Sequence, residues 1–383
     1  MDVVVTGIGL LSCLGSLQPT WSKILEGKSG IRTQSLDSQL PAYPLGLINA
    51  KPSKVYDLTC RILVDTLLDA NLQPPLSESG VVVGSSRGCQ ADWEELATQR
   101  KHLNSNRIIP NWWQTLPHQS AIACAKQIQT VAPVLSPMAA CATGIWALAR
   151  GYELIKTGRC DRVIAGAVEA PITPLTIAAF ERMGALATTG CYPFDCDREG
   201  LVLGEGGAMF VLENETIAIA RQAKIYGKIA SFGLTCDAHH ISAPQTTNGS
   251  AALAIKQALD RSNIKPEEID YIHAHGTSTM LNDSHEARLI KHLFPQNVAV
   301  SSTKGATGHT LGASGAIGVA LTLMAFRHGS LPPCVGLNNL EFDLNVITRP
   351  TKASIDRAMC FSFGFGGQNA VITLSNYCNN GEY

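Results

Sequence analysis

One arrangement occurs twice in this chain: a short apolar strand, then a loop with reactive side chains, then a long apolar helix. In the first copy, residues 131–135 predict the strand, Cys141 lies in the loop, and apolar side chains recur at helical spacing up to Gly158. In the second copy, the strand is predicted over 298–301, and the loop that ends in His309 precedes an apolar helix. A repeated unit of this kind favours an α/β fold of two similar halves, whose reactive loops meet where the halves join.

The position of Cys141 at a strand-to-helix junction predicts a nucleophile. Unpaired backbone N–H groups and the positive end of the helix dipole favour a thiolate there. Small neighbours, from Ala139 to Gly144, leave room for an acyl group. The alternative is a buried structural cysteine, which is a common environment for a free cysteine.

Three downstream motifs accompany the cysteine. Residues 271–279 (YIHAHGTST) include His275, residues 302–309 (STKGATGH) end in His309, and residues 363–369 (FGFGGQN) are rich in glycine. Together with ACATG around Cys141, these motifs make the chain resemble the β-ketoacyl-(acyl carrier protein) synthases. These are the Cys-His-His condensing enzymes of the thiolase superfamily, and the resemblance extends from VVVTGIG near the N-terminus to SFGFGGQN.

The resemblance implies the fold and its division. It implies the duplicated thiolase-type α/β fold, a five-layer αβαβα arrangement of two similar halves. Residues 1–220 would form the N-terminal half with the nucleophilic cysteine. Residues 221–383 would form the C-terminal half with both histidines and a gating glycine loop.

The same resemblance assigns the catalytic roles. Cys141 would attack an acyl thioester and carry the acyl group. His275 and His309, as neutral imidazoles, would bind the malonyl thioester carbonyl and stabilise the enolate formed as carbon dioxide leaves. For Lys304 an electrostatic role, paired with Glu286, is favoured, and direct proton transfer stays open.

Further residues follow from the family pattern. The oxyanion would be bound by the backbone N–H groups of Cys141 and Phe365, and Phe365 would also be the gate to the acyl pocket. The supporting residues would be Glu286, Asp283, Thr277 and Thr279. For the two acidic residues the alternative is an ordinary charged surface helix. Arg198 and Lys54 are predicted to lie near the docking surface for the acyl carrier protein, and an ordinary surface salt bridge is the alternative for Arg198.

Composition restricts the partners and the compartment. A formal net charge of −1 creates no overall field towards nucleic acid or an anionic membrane. No apolar run reaches the roughly 18 residues that span a bilayer, so no membrane insertion is expected. The twelve cysteines form no CxxC pair, and the chain begins with a strand pattern, which together predict a reducing cytoplasm and no metal site.

The function that the resemblance implies is a decarboxylative Claisen condensation of an acyl thioester with malonyl-acyl carrier protein, giving 3-oxoacyl-acyl carrier protein. The pathway would be fatty acid synthesis or related polyketide or glycolipid synthesis. Partners would be an acyl carrier protein and a second copy of the chain, with a heterodimer open. No cofactor is expected, because the carrier supplies the phosphopantetheine arm.

One alternative comes from a different class of protein. A chain-length-factor-like subunit binds a ketosynthase without catalysing condensation, and such subunits have lost the nucleophile that this chain retains. Ala139, Phe361 and Gln368 depart from the family pattern, so acyl length, pathway and the number of extensions stay undecided.

Some local predictions concern individual elements. A helix over residues 56–70 is expected to direct Leu58, Ile62, Leu63, Leu67 and Leu68 inward. Ser250 is expected to cap the helix that follows it. Residues 85–113 are expected to form either a plain loop or a segment that shapes the acyl pocket and the dimer interface.

Overall fold

The computed structural model describes residues 2–36, 41–102, 112–245 and 249–377. The strands are β1 (Val3–Ser12), β2 (Gly15–Ser16), β3 (Arg32–Gln34), β4 (Tyr43–Gly46), β5 (Gly80–Gly84), β6 (Val134–Leu135), β7 (Arg162–Glu169), β8 (Leu203–Gly204), β9 (Gly206–Asn214), β10 (Gly227–Cys236), β11 (Tyr271–His273), β12 (Ala299–Ser301), β13 (Ser330–Leu331), β14 (Thr351–Lys352), β15 (Arg357–Gly364) and β16 (Gln368–Ser375). The α-helices are α1 (Leu17–Leu25), α2 (Val55–Asp69), α3 (Gln90–His102), α4 (Gln119–Ile128), α5 (Thr143–Lys156), α6 (Pro174–Arg182), α7 (Glu215–Ala220), α8 (Ser250–Ser262), α9 (Met280–Leu293), α10 (Lys304–Thr307) and α11 (Ser314–His328). Short 3₁₀ turns lie at Trp112–Thr115, Pro266–Glu268, Leu311–Ala313 and Phe365–Gly367.

The strands of the two halves are ordered in the same way. In the first half the order is β6-β5-β7-β9-β1, and in the second it is β12-β11-β15-β16-β10. In each half the first three strands pair in parallel and the remaining pairs are antiparallel. The halves join where β1 pairs with β10, with Val3 opposite Ile229. The identical pattern confirms the predicted duplicated α/β fold.

Helices α5 and α11 form the central layer between the two halves. Every residue of α11 from Ser314 to Phe326 is buried, as expected for a helix that is apolar all round. The two helices approach closely at Gly144, where an added Cβ atom would lie 2.6 Å from the backbone nitrogen of Ala316. The expectation that no apolar run is long enough to cross a membrane is wrong for residues 311–328, but 89% of this stretch is buried inside the protein, as in a core helix.

The outer layers complete the five-layer arrangement. Helices α2 and α4 pack on the sheet of the first half, in one apolar cluster with β5 and β9. Helices α8 and α9 pack on the sheet of the second half, in a cluster that includes Ile255, Ile290 and Met359. The predicted boundary between residues 220 and 221 falls directly after α7, before the first strand of the second half.

Several local predictions were wrong in detail. Leu68 is 72% exposed, because its position on α2 faces away from the sheet. Gly249, with φ of 67°, is the N-cap of α8, and Ser250 is the first helical residue. The strand before Cys141 is only Val134–Leu135, and Val131 is 89% exposed. Of the two alternatives for residues 85–113, the plain loop is wrong, because the segment contains helix α3.

Candidate active site

Cys141 lies in a tight turn between β6 and α5. The turn places Ala140 at φ of 47°, and the Thr143 hydroxyl stabilises it by donating to the Ala140 carbonyl and accepting from the Ala139 N–H. The Ser362 hydroxyl, from β15 of the other half, donates to the Cys141 carbonyl at 2.8 Å. The cysteine is therefore fixed by both halves of the fold.

Two histidine side chains from the second half meet the cysteine. One nitrogen of His275, one nitrogen of His309 and the Cys141 sulfur all lie within 4.8 Å of one another. The two rings are 5.3 Å apart at an interplanar angle of 80°. His275 follows β11 and His309 follows β12, so both side chains lie beyond the carboxyl ends of parallel strands. The prediction that the reactive loops meet is confirmed.

The same three atoms would also suit a zinc ion, for which cysteine and histidine are common ligands. The expectation that no metal is used stays a prediction.

Burial determines the charge of these groups. It lowers the pKa of His275 and of His309 well below the ordinary value, and the Lys304 ammonium lowers both further. Both imidazoles are therefore neutral near pH 7, as the condensing role requires. Burial also raises the pKa of Cys141 to about 11, although Lys304 and the Phe365 N–H act in the opposite direction. The expectation of a resting thiolate is wrong, and the thiol must lose its proton as it attacks.

Lys304 orients His275 directly. Its ammonium donates to the His275 carbonyl oxygen and lies 3.4 Å from His275 Nδ1. An ammonium beside Nδ1 leaves the ring proton on Nε2. On His309, Nδ1 is buried without a hydrogen-bond partner among the described residues.

Glu286 forms no close ion pair with Lys304, although its charge raises the pKa of Lys304 against the larger lowering effect of burial. Its carboxylate instead accepts hydrogen bonds from the backbone N–H groups of His275 and Gly276, at 2.6 and 2.7 Å. Burial raises its pKa to about 7, and the charge of Lys304 acts against that rise. Glu286 thus holds the loop that carries His275.

Asp283 holds the next part of the same loop. It is fully buried, and its carboxylate accepts from the backbone N–H groups of Thr277, Ser278 and Phe194. The alternative of an ordinary surface helix is therefore excluded for Asp283. The hydroxyls of Thr277 and Thr279 lie 2.9 Å apart and border the cavity beside His275.

The glycine-rich loop passes directly over the cysteine. A Cβ atom added at Gly364 would lie 2.9 Å from the Cys141 backbone nitrogen, so only glycine permits this approach. The backbone N–H of Phe365 donates towards the Cys141 thiol and lowers its pKa. This placement suits the predicted second oxyanion donor, whereas the Cys141 N–H stays a prediction in that role.

A cavity of about 260 Å³ opens in front of these groups. Cys141, His275 and His309 line it, together with Phe365 and Phe180. The cavity is large enough for a thioester and can expose it to the nucleophile and the two imidazoles together.

The two predicted docking residues differ in position. The Arg198 side chain is fully buried, donates to the Asp195 carbonyl and the Ser284 hydroxyl, and pairs with Glu341. A buried guanidinium cannot contact a carrier protein, so that prediction is wrong for Arg198, and the surface salt bridge alternative fails with it. Lys54 is exposed, where it pairs with Asp92 and Glu95, and its docking role stays a prediction.

Sequence reasoning gave no role to two residues that shape the site. Phe363 packs edge-on against the His275 ring, with centroids 6.1 Å apart. Glu169, at the end of β7, is completely buried and accepts hydrogen bonds from the backbone N–H groups of Ser86, Arg87 and Gly312. A glutamate that ends an apolar strand was the available signal for the second residue.

Comparison with known proteins agrees with this geometry. Residues 55–218 match the family model "Beta-ketoacyl synthase, N-terminal domain", and residues 226–338 match "Beta-ketoacyl synthase, C-terminal domain". A 3-oxoacyl-[acyl-carrier-protein] synthase 2 of Synechocystis sp. is 35% identical over 98% of both chains.

Solved structures agree as well. The ishigamide ketosynthase/chain length factor superimposes with a TM-score of 0.92 at 27% identity, covering 98% of this chain and 99% of the other. A type II polyketide ketosynthase, in complex with its acyl-carrier protein and bound to the hexaketide, gives 0.91 at 27% identity over 98% and 99%.

Proposed function

This chain belongs to the β-ketoacyl synthase family, and we propose that it joins an acyl group to a malonyl unit with loss of carbon dioxide. The product is a 3-oxoacyl thioester on an acyl carrier protein. The observation that carries this proposal is the meeting of Cys141, His275 and His309 in the lining of one cavity. Each of the three supplies a group that the reaction needs.

The first half-reaction loads the enzyme. The Cys141 sulfur forms a bond to the acyl carbonyl carbon, and the bond from that carbon to the carrier sulfur breaks. The cysteine proton ends on the departing carrier thiol, so the step balances with both imidazoles still neutral. The Phe365 N–H, which points towards the sulfur, stabilises the oxyanion of the tetrahedral intermediate.

The second half-reaction makes the carbon–carbon bond. The malonyl carboxylate leaves as carbon dioxide, and its electron pair becomes the enolate of the remaining thioester. Neutral His275 and His309 each donate one hydrogen bond to the developing oxyanion. The enolate carbon then attacks the acyl carbonyl, the bond to Cys141 breaks, and the cysteine thiolate takes up a proton from water.

The partners and compartment are part of the same proposal. The acyl groups arrive on a separate acyl carrier protein, as in the related polyketide ketosynthase complex. The chain works as a homodimer in the cytoplasm. It needs no cofactor, because the thiol and the two imidazoles supply every group in the steps above.

The chain-length-factor alternative has less structural support than the condensing function. One of the similar solved structures is the ishigamide ketosynthase/chain length factor, so the alternative has a related structure. A non-condensing subunit has no need of a cysteine within 4.8 Å of two neutral imidazoles, and this chain has that arrangement.

The test is intact mass spectrometry after incubation with acyl-(acyl carrier protein) thioesters. We expect an adduct of the acyl mass that is absent from Cys141→Ala and retained in Cys196→Ala, which alters an exposed thiol. Addition of malonyl thioester should then release a 3-oxoacyl product. Absence of any adduct in a folded sample would overturn the proposal in favour of the non-condensing subunit.

A further inference from the structure

A guanidinium lies behind the aromatic wall of the cavity. The Arg87 guanidinium carbon is 5.7 Å from the centre of the Phe180 ring, and the Phe180 ring is 5.9 Å from that of Phe365. Phe180 and Phe365 border the cavity together with Cys141. The guanidinium of Arg87 therefore lies next to a ring that borders the cavity containing the nucleophile.

The duplication of the fold explains why Arg87 lies there. The loop after β5 carries Arg87, and the corresponding strand of the second half, β11, carries His275 in the loop that follows it. Both loops leave the carboxyl ends of parallel strands in the middle of their sheets.

The charge of Arg87 reaches the nucleophile, since it lowers the pKa of Cys141 against the larger effect of burial.

Nearby carboxylates already have partners. Glu169 accepts from the Ser85 and Ser86 hydroxyls and from backbone N–H groups, including that of Arg87. Glu94 accepts from the Gln90 side chain, and Glu181 accepts from the Tyr43 hydroxyl.

The guanidinium itself has no counter-ion in residues 2–36, 41–102, 112–245 and 249–377, where it takes part in no ion pair. Arg87 is only partly exposed, and one side of its guanidinium is covered by an aromatic ring rather than water. A terminal methyl group of an acyl chain bound beside this cation would remove water from the guanidinium without replacing the hydrogen bonds. A terminal anion would replace them, so the site favours an acyl chain that ends in an anion.

We propose that the acyl group carried by Cys141 ends in a carboxylate, and that Arg87 binds this carboxylate. The proposal rests on the function above and specifies its substrate class as ω-carboxyacyl thioesters. A guanidinium can bind a carboxylate through two parallel hydrogen bonds, which gives both strength and orientation. The acyl chain reaches Arg87 alongside the Phe180 ring, and Arg87 acts in binding rather than in bond making.

The test compares two pantetheine thioesters of equal chain length, adipoyl and hexanoyl, which differ only in the terminal carboxylate or methyl group. The rate of acyl loading on Cys141 is followed by intact mass for the unaltered chain, Arg87→Met and Arg87→Lys. Arg61→Met, an exposed arginine on α2, is the matched control. Circular dichroism verifies that each variant is folded.

We expect the unaltered chain to load adipoyl faster than hexanoyl. In Arg87→Met the adipoyl rate should fall about tenfold or more, the loss typical for a hydrogen bond to a charged group, with little change in the hexanoyl rate. Arg87→Lys should retain part of the preference, and Arg61→Met all of it.

Two results would count against the inference. Faster loading of hexanoyl by the unaltered chain, or an adipoyl preference that persists in Arg87→Met, would overturn the role of Arg87 and leave the condensing function intact. Loading of neither thioester would overturn the condensing function itself, and the inference with it.

Discussion

The Lys304 ammonium lies against His275, donating to its carbonyl oxygen and approaching Nδ1 at 3.4 Å. Through these contacts one buried lysine sets both the position and the tautomer of a catalytic imidazole. Its charge also lowers the pKa of Cys141.

Replacing Lys304 should therefore weaken the nucleophile. In Lys304→Met the pKa of Cys141 loses a lowering influence, so less thiolate is present at a given pH. We expect alkylation of Cys141 by iodoacetamide near neutral pH to slow by up to about tenfold, the effect of one pKa unit. Mass spectrometry of labelled peptides measures this rate. Lys291→Met, at an exposed ion pair with Asp343, is the control, and an unchanged rate in Lys304→Met would contradict the electrostatic role.

His309 should be needed for condensation but not for loading. His309→Ala removes one of two hydrogen-bond donors to the enolate, and loss of such a donor typically costs about 10²–10³ in rate. We expect the acyl adduct on Cys141 to form while release of 3-oxoacyl product falls by that factor. Intact mass and product analysis follow the two steps separately. His292→Ala, an exposed histidine, should match the unaltered chain, and normal product release by His309→Ala would refute the assignment.

The stability of the protein should depend on pH through His273. Burial lowers the pKa of this histidine from 6.5 to about 3, and its Nε2 lies 3.1 Å from the Thr303 hydroxyl. Below pH 6.5 the unfolded chain binds a proton that the folded chain does not. The stability contribution is thus intact above that pH and is lost as the pH falls towards 3.

His273→Asn should remove this dependence. We expect the free energy of unfolding of the variant to decline less steeply with falling pH than that of the unaltered chain. The two slopes should differ by about 1.4 kcal/mol per pH unit. Urea denaturation across this pH range measures it. The opposite contributions of Glu286 and Asp283, whose pKa values burial raises, are common to both proteins and cancel in the comparison. His118→Asn, at an exposed histidine, serves as control, and an equal slope in His273→Asn would refute the prediction.

Glu169 should be important for stability. Its two oxygens accept hydrogen bonds from two backbone N–H groups near β5 and from Gly312 before α11. In Glu169→Gln one oxygen becomes an NH₂ group that faces donors, so buried N–H groups lose their acceptor. We expect a loss of about 2 kcal/mol or more in the free energy of unfolding, measured by denaturation. Glu153→Gln, at an exposed pair with Arg150, should change it by less than about 0.5 kcal/mol.

The sequence by itself determined the family, the α/β duplication and the chemically reactive residues. The motifs around Cys141, His275 and His309 are local, because each is a loop between a strand and a helix whose apolar patterns can be read directly. The helical pattern over 143–156 and the strand at Gly80–Gly84 are similarly local, and the structure contains both.

Only the tertiary structure decided what surrounds those residues. Arg198 looked like a surface charge, but Glu341 and Ser284, far away in the chain, enclose it. The resting charge of Cys141 was predicted from a helix end, whereas burial by both halves raises its pKa to about 11. Arg87 gave no local signal of its role, and the position of Glu169 at the end of an apolar strand did not identify its partners, because those partners come from other parts of the fold. Burial and charge pairing depend on the packing of distant segments, and for that reason local patterns predicted the groups but not their environments.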